Sequence, residues 1–457
     1  MKLYNTLTRE KAEFVPAGDV VSMYVCGITT SNTSHVGHAL SSVVFDVLHR
    51  YLEYRGYRVR RVQNFTDVDD KVIARAAEEG VPAEVVAERY VDEFFRDMDD
   101  LNVRRADVHP RATAEIPRII EMIEGLVARG HAYPSPAEDG NVYFRVGSDP
   151  DYGKLSRRTR DDMLEGVRVE LEPGKEDPAD FALWKASKPG EPAWDSPWGR
   201  GRPGWHIECS AMARTYLGET IDIHGGGLDL IFPHHENEIA QSESFSGREP
   251  FARFWLHNGL LRMDDTKMSK SLGNVVSVRE ALDTYSSDAI RLYMLMSHYR
   301  APLAYDEENI GRHERAARRL RQAATVESDG ASGEAVDALP FRDRFIEAMD
   351  DDLNTPQGLA VLFDLGREIN RGRDAGQPIQ AAQAELRELA EVLGLTLVEP
   401  EAGADGLSDN EIEARLAERA RLRGERDFAA ADAIREELTA QGIALEDSPT
   451  GTIWTRV

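Results

Sequence analysis

The chain has 457 residues, 41% of them hydrophobic, which allows a sizeable core and suggests roughly three domains. No apolar run approaches the about 20 residues that cross a bilayer, and the opening Met1-Lys2-Leu3-Tyr4-Asn5-Thr6 lacks the apolar core of a signal peptide, so no membrane partner and a cytoplasmic location are expected. Two cysteines exclude a disulfide framework, and a formal charge of -26, taken alone, argues against a nucleic-acid partner.

The first element is an apolar, β-rich run, Val20 to Cys26, followed by a Gly-, Thr- and Ser-rich stretch, Gly27 to Ser34. From Val36 to Tyr54 apolar residues recur at helical spacing, among them Val36, Leu40, Val43, Val47 and Tyr51, with Gly56 placed to end the helix. A second alternating strand follows over Tyr57 to Gln63. Strand, loop, helix, strand is the opening of a parallel α/β sheet, whose ligands sit at the carboxyl ends of its strands. Helical patterns continue over Asp70 to Glu79, Ala83 to Leu101 and Ile116 to Arg129. Residues from about His131 to Arg200 read as irregular and as an insertion into the sheet. The sheet resumes near Gly204, with Ile221 to His224 as a strand and His234 to Ser244 as a helix. The chain is mainly helical from Arg312, with linker-like stretches at Val326 to Leu339 and Glu401 to Asn410, then a helix pair and a β-like ending, Ile443 to Trp454.

Lysine usage is informative. The chain holds 9 lysines against 46 arginines, and after Lys188 only Lys267 and Lys270 remain, both in Lys267-Met268-Ser269-Lys270-Ser271. An ammonium is a compact point charge suited to a moving phosphate, which points to a mobile loop that neutralises a polyphosphate. Abundant acid with arginine in place of lysine resembles proteins of salt-adapted organisms. At about 1 M salt the Debye length is about 3 Å, so an acidic surface no longer repels phosphate. Charge therefore leaves a nucleic-acid partner open.

Two other clusters carry chemistry. His35-Val36-Gly37-His38 lies between the first strand and its helix, where imidazoles and free backbone N–H groups can meet a phosphate and Gly37 lets a ligand approach; alone, it reads more readily as two surface histidines, and the lysine motif reverses that balance. In Phe232-Pro233-His234-His235-Glu236-Asn237-Glu238, a proline suits a helix start, and His234 and Glu238 share one face at i and i+4. With Cys26 and Cys209 they offer two thiolates, an imidazole and a carboxylate, the donors of a tetrahedral zinc site. The residues alone leave open two inert core cysteines beside a surface helix.

Together these motifs resemble the cysteinyl-tRNA synthetases, class I aminoacyl-tRNA synthetases, over essentially the whole chain. The likeness includes Tyr24-Val25-Cys26-Gly27-Ile28-Thr29, Asn64-Phe65-Thr66-Asp67-Val68-Asp69-Asp70-Lys71, Phe181-Ala182-Leu183-Trp184-Lys185, Gly204-Trp205-His206-Ile207-Glu208-Cys209-Ser210 and Asp222-Ile223-His224-Gly225-Gly226-Gly227-Leu228-Asp229. His35 to His38 matches the family's HIGH motif with valine for isoleucine, and Lys267 to Ser271 matches KMSKS.

The resemblance implies zinc on Cys26, Cys209, His234 and Glu238, and cysteine recognition by Gly27, Thr66, Trp205 and His224. It implies adenosine contacts from Gly227 and Asp229, triphosphate contacts and catalysis from His35, His38, Lys267 and Lys270 with Mg²⁺, and anticodon contacts from Arg423, Asp432 and Asp447. Ser31-Asn32 and Leu40 depart from the family's Tyr-Asp and Arg, and are expected at the edge of the ATP pocket. Arg312, Arg315, Arg318, Arg319 and Arg321 fall on one predicted helix suited to tRNA phosphates.

The implied fold is a Rossmann-like α/β domain with an insertion, then a helical bundle and a small C-terminal α+β domain. Its parts are 1–110 and 204–260 as catalytic halves, 111–203 as insertion, 261–325 as KMSKS and stem-contact region, 326–400 as tRNA-binding bundle, and 401–457 as anticodon-binding domain. The implied activity is cysteine–tRNA ligation by a monomer using ATP, L-cysteine and tRNA-Cys. A ligase that joins activated cysteine to a small amine is the nearest rival. No editing segment is read in the chain, as expected if a metal discriminates the thiol.

Overall fold

The computed structural model describes residues 1–137, 139–158, 174–263, 266–267, 276–327, 331–398, 409–441, 443–448 and 451–456. They form two compact units, Met1–Thr396 and Leu397–Val457. Among the described residues no helix is long and apolar enough to cross a membrane.

At the centre of the first unit is a four-stranded, wholly parallel sheet. Its strands are β1 (Val20–Thr29), β2 (Arg58–Thr66), β3 (Ile221–Gly227) and β4 (Ala252–Asn258), in the order β4-β3-β1-β2. β1 is central, so it is covered on both faces and reads as a near-continuous apolar run rather than an alternating one. The helix that follows it, α1 (Val36–Tyr54), spans the predicted limits and is buried on nearly all sides. The reason is its position: it packs on the sheet and also against helices Ser287–Leu295 and Gln380–Val392. Gly56 follows it in the left-handed region at φ 86°, as expected of a helix stop.

The α/β reading of the sequence holds, with three differences in detail. The stretch read as irregular contains a four-stranded antiparallel meander, Ala132–Pro134, Val142–Phe144, Phe181–Ala186 and Gly201–Pro203. Strands of three to six residues are too short to display an alternation. Second, β1 and β3 run on to Thr29 and Gly227, because Gly- and Thr-containing ends pair with neighbours that the sequence pattern cannot reveal. Third, the helix expected from His234 begins at Glu236, as α3 (Glu236–Ser246); Pro233 and His234 sit in the preceding turn, where Phe232 has extended backbone (φ −138°, ψ 131°).

A buried charge cluster fastens α1 to its surroundings. Asp46 accepts hydrogen bonds from Arg50 Nε at 2.9 Å, Arg291 Nη2 at 2.8 Å and the Arg104 N–H at 3.0 Å. Arg291 also donates to the carbonyls of Leu101 and Leu393, at 3.0 and 2.9 Å. Gly394 makes room for it: at φ 69°, a Cβ there would lie 1.9 Å from Arg291 Nη2. Burial alone would raise the Asp46 carboxyl, but Arg291 and Arg50 hold it below the usual carboxylate range. Asp46→Ala strands two guanidinium groups in the interior, and should cost about 3–5 kcal/mol in equilibrium urea unfolding.

The second unit holds helices Asp409–Gly424 and Phe428–Ala440 and an antiparallel hairpin, Ile443–Ser448 with Gly451–Arg456. Ile412, Leu416, Ile434, Leu438, Ile443, Leu445 and Trp454 form its core. The helix pair and β ending expected from the sequence are both present.

Candidate functional site

The site starts from a bulge. Along β1 and β2, Val25 faces Gln63 and Ile28 faces Phe65, so Cys26 and Gly27 together oppose the single residue Asn64. The extra residue breaks the side-chain alternation and re-aims Cys26. Gly27 donates its N–H to Asn64 Oδ1 at 2.9 Å, and a Cβ on Gly27 would stand 1.6 Å from the Asn64 carbonyl oxygen. Cys26 Sγ then lies 3.8 Å from Cys209 Sγ, on helix α2 (Trp205–Leu217), and 3.3 Å from Glu238 Oε1 on α3. His234 Nε2 lies 3.1 Å from the same oxygen.

Cys26, Cys209, His234 and Glu238 each offer one ligand atom, all within 4.8 Å of one another, and all four residues are buried. These residues could hold a metal ion. A tetrahedron with metal–sulfur bonds of about 2.3 Å and metal–oxygen and metal–nitrogen bonds of about 2.0 Å has edges of about 3.8 Å (S–S), 3.5 Å (S–O) and 3.3 Å (N–O). The three distances found fit these edges closely. The donors are also supported from behind, as metal ligands are. Glu238 Oε2 is 2.8 Å from His224 Nε2, and His234 Nδ1 is 2.9 Å from His206 Nδ1.

The cluster is electrostatically poised for a cation. Burial opposes ionisation of Glu238, but His224 and His234 bring its pKa down to about 2. Burial likewise opposes a charge on His234, but Glu238 and Cys209 raise it to about 10. Burial pushes the Cys26 thiol up, and the Cys26 hydrogen bond pulls Cys209 down. Carboxylate and imidazole thus favour each other's charged forms, and a cation bound by the four donors would displace their protons.

Above the cluster opens a cleft of about 660 Å³, at the carboxyl ends of β1, β3 and β4. Cys26 and Gly27 lie on its wall, as do Trp205, Gly227 and Asp229. His35 and His38 line it at the start of α1. His35 is the N-cap, and the two rings stack with centroids 3.6 Å apart. Each Nδ1 accepts the other residue's backbone N–H at 3.3 Å. A neutral imidazole that accepts at Nδ1 carries its proton on Nε2, so both rings are fixed as Nε2–H donors.

The lysine segment is anchored beside these histidines at both ends. Before it, Leu261 lines the cleft, and Arg262 and Met263 pair with Lys267 and Thr266. After it, Val36 donates its N–H to the Val276 carbonyl at 3.1 Å, and Val278 to that of Ser34 at 3.0 Å. The Lys267 side chain and all of Lys270 lie outside the described residues.

Not all of the expected residues line the cleft. Thr66 and His224 are buried and are not among the cleft's lining residues; Thr66 donates to Glu208 Oε2 at 2.9 Å, and His224 holds Glu238. Ser31 lines the cleft, but Leu40 is a core residue at 3% exposure, because its position on α1 faces inward with Val36, Val43 and Val44. On the helix Glu307–Thr325, Arg312 and Arg319 are exposed, Arg315 and Arg318 half-buried, and Arg321 turns into the interior. Arg423 and Asp432 are exposed on the two helices of the second unit; the Asp447 side chain lies outside the described residues.

Residues not singled out from the sequence also contribute. Asn64 braces the bulge and lies 3.7 Å from Cys209 Sγ. His235 Nε2 approaches Cys26 Sγ at 3.3 Å, while its Nδ1 pairs with His257 Nε2 at 2.8 Å. The exposed Lys71 lines the cleft. The His-His doublet was the one available signal, for His235.

Comparison with known proteins agrees with this geometry. Residues 14–315 match the family model for the catalytic domain of class I (C) tRNA synthetases, 344–398 a DALR domain, and 405–454 the cysteinyl-tRNA ligase anticodon-binding domain. A cysteine–tRNA ligase from Dehalococcoides mccartyi is 53% identical over 458 residues, covering 99% of each chain. Another, from Alkalilimnicola ehrlichii, is 52% identical over 464 residues, covering 100% of each. Among solved structures, Mycobacterium tuberculosis methionyl-tRNA synthetase with methionyl-adenylate shares the fold at a TM-score of 0.61 and 19% identity, covering 83% of this chain and 92% of its own. With a catalytic-domain match over more than half its length and full-length relatives above 50% identity, the chain belongs to the cysteine–tRNA ligase family of class I aminoacyl-tRNA synthetases.

Proposed function

We propose that this chain activates L-cysteine with ATP, giving cysteinyl-adenylate and pyrophosphate, and then transfers cysteine to the 3′ end of tRNA-Cys. The observation that carries this reading is the convergence of Cys26, Cys209, His234 and Glu238 beside a cleft lined by His35, His38, Gly227 and Asp229. Those four donors would hold zinc. When bound, zinc supplies a soft Lewis acid that favours a thiolate over a hydroxyl.

The first step needs no side-chain nucleophile, because the cysteine carboxylate is already ionised and attacks the α-phosphate itself. Catalysis is positioning and charge stabilisation. His35 and His38 present Nε2–H donors to the phosphates. Lys267 and Lys270, on a segment anchored beside them, neutralise the departing pyrophosphate, and Mg²⁺ accompanies the nucleotide. Gly227 and Asp229 hold the adenosine, and Gly27 and Trp205 border the amino acid. Thr66 and His224 act on the amino acid's surroundings from beneath, through Glu208 and Glu238. His38→Ala should lower the rate of cysteine-dependent pyrophosphate exchange by about 10²–10³, the usual cost of one charge-stabilising donor.

In the second step the terminal adenosine's 2′-hydroxyl attacks the cysteinyl carbonyl carbon, the mixed anhydride breaks, and AMP leaves with the ester formed. The match to an anticodon-binding family model over 405–454 favours tRNA over a small amine as acceptor. Arg423, Asp432 and Asp447 would read the anticodon, Arg312 and Arg319 would meet backbone phosphates, and the division at 1–110, 111–203, 204–260, 261–325, 326–400 and 401–457 follows these roles. Arg319→Glu should weaken charging and reduce the salt slope of tRNA binding by about one. A monomer in the cytoplasm belongs to the same reading.

The test is cysteine-dependent ATP–pyrophosphate exchange, with serine as control and charging of tRNA-Cys as second readout. Exchange that ignores cysteine, or exchange without charging, overturns the proposal.

A further inference from the structure

We propose that the metal site has a second, latent half, in which Cys26 and Glu238 hold a divalent transition-metal ion together with His224 and His235 instead of Cys209 and His234. It rests on the reading of the first cluster as a metal site. Cys26, His224, His235 and Glu238 meet the same spacing condition, with ligand atoms within 4.8 Å of one another and all four residues buried. The two donor sets share the edge from Cys26 to Glu238.

His235 has the environment of a ligand rather than of a core histidine. Its Nε2 points at the shared edge, 3.3 Å from Cys26 Sγ and 3.9 Å from Glu238 Oε1. Its other nitrogen is held by His257 Nε2 at 2.8 Å, and His257 Nδ1 in turn by Thr6 Oγ1 at 2.8 Å. If Thr6 accepts from His257 Nδ1–H, His257 Nε2 accepts from His235 Nδ1–H. A lone pair then remains on His235 Nε2, aimed at the edge. His224 is fully buried beside this edge and brings its Nε2 to the shared Glu238 carboxylate at 2.8 Å.

The two halves are not equivalent. His224 Nε2 and Glu238 Oε2 stand 2.8 Å apart, a hydrogen-bond distance shorter than a tetrahedral edge of about 3.3 Å. That bond must open before the second half closes on an ion. The first half, with two thiols, suits a thiophilic ion at rest. The second, with one thiol and two imidazoles, suits the same ion when a thiol is withdrawn, or a harder one.

Cobalt reports the choice, because its near-ultraviolet thiolate-to-metal band grows with the number of thiolates bound. The purified full-length chain, stripped and reloaded with Co²⁺, should take up one ion with the two-thiolate band. His234→Ala should still hold one ion, with the band at about half intensity, because the ion has left Cys209. Adding His235→Ala to it should weaken Co²⁺ binding by at least about tenfold. A full-intensity band in His234→Ala, no retained ion, or no effect of the second substitution overturns the proposal. Should His234→Ala not fold, Cys209→Ser carries the test: one ion retained and then lost on adding His235→Ala supports it, and retention indifferent to His235 overturns it. No ion in the unaltered chain overturns the metal reading itself, a separate failure.

Discussion

Replacing Cys26 by serine should give a chain that carries no stoichiometric metal and whose preference for cysteine over serine falls to about 10², the limit for an apolar pocket facing near-isosteres. Cys26 is the more sensitive of the two thiols because, with Glu238, it belongs to both possible sets, whereas Cys209 and His234 belong to one. A serine hydroxyl does not ionise at neutral pH and is a poor partner for a soft ion. Its loss leaves Glu238 facing His224 and His234 with a vacant side, so the remaining donors close on themselves as ion pairs. Fold is not the limiting issue: the exchange of sulfur for oxygen is nearly isosteric, and the bulge is set by Gly27 and Asn64 rather than by the thiol. Metal content per chain and the ratio of kcat/KM for the two amino acids in pyrophosphate exchange are the measurements. A Cys26→Ser chain that keeps one ion and the original ratio would remove the basis for zinc-dependent selection.

Which parts of this arrangement could be read in advance follows from the range of the interactions. β1, α1 and the turn between them are encoded locally, by an apolar run, a 3.6-residue period and a glycine stop, and α1 spans the residues its pattern implies. The donors were identifiable as residue types because cysteine is so scarce here that two residues stand out. Their approach to within 4.8 Å was not legible, since it depends on a strand order, β4-β3-β1-β2, that brings positions 26, 209 and 238 together through pairing across about 200 residues. The bulge was hidden for the same reason: it is a relation between Cys26-Gly27 and Asn64, not a property of either segment. His224 and Thr66 were placed on the substrate by likeness of motif; both are buried, with their polar atoms on the carboxylates of Glu238 and Glu208, a pairing the sequence did not reveal. Leu40 was placed at the pocket edge by likeness to the family's Arg, but it follows the apolar period of α1 with Val36 and Val43 and faces the core.

Acidity and tRNA recognition are compatible in this molecule because arginines stand among the acids and pair with some of them. Glu308 pairs with Arg312 at 2.6 Å, Asp364 with Arg344 at 2.6 Å, and Asp97 with Arg279 at 2.7 Å. An exposed pair such as Glu308–Arg312 adds little stability, about 0–1 kcal/mol. On the helix Glu307–Thr325, five arginines stand against three glutamates. A polyanion then meets local arginines rather than the net charge, and high salt strengthens that tendency by screening the remainder.

Gly27→Ala should be more damaging than its single methyl suggests, lowering pyrophosphate exchange by at least about 10² and stability by about 1–3 kcal/mol. The added Cβ would lie 1.6 Å from the Asn64 carbonyl oxygen and 2.7 Å from its carbonyl carbon, both backbone atoms of the neighbouring strand. No rotamer change can relieve that overlap; β1 and β2 must part. Parting them disturbs three things at once. The Gly27 N–H loses Asn64 Oδ1, Asn64 loses its position beside Cys209 Sγ, and Cys26 swings away from Glu238. A shift of about 1 Å at a reacting centre is enough for a 10² loss in rate. Because β1 also leads into His35, the displacement passes to the phosphate-facing histidines through only eight residues of chain. Equilibrium unfolding separates the stability cost from the rate cost, and metal content per chain tells whether the donors have moved. A Gly27→Ala chain with full metal content and exchange within twofold of the original would mean that the close approach of β1 to β2 does not position the site.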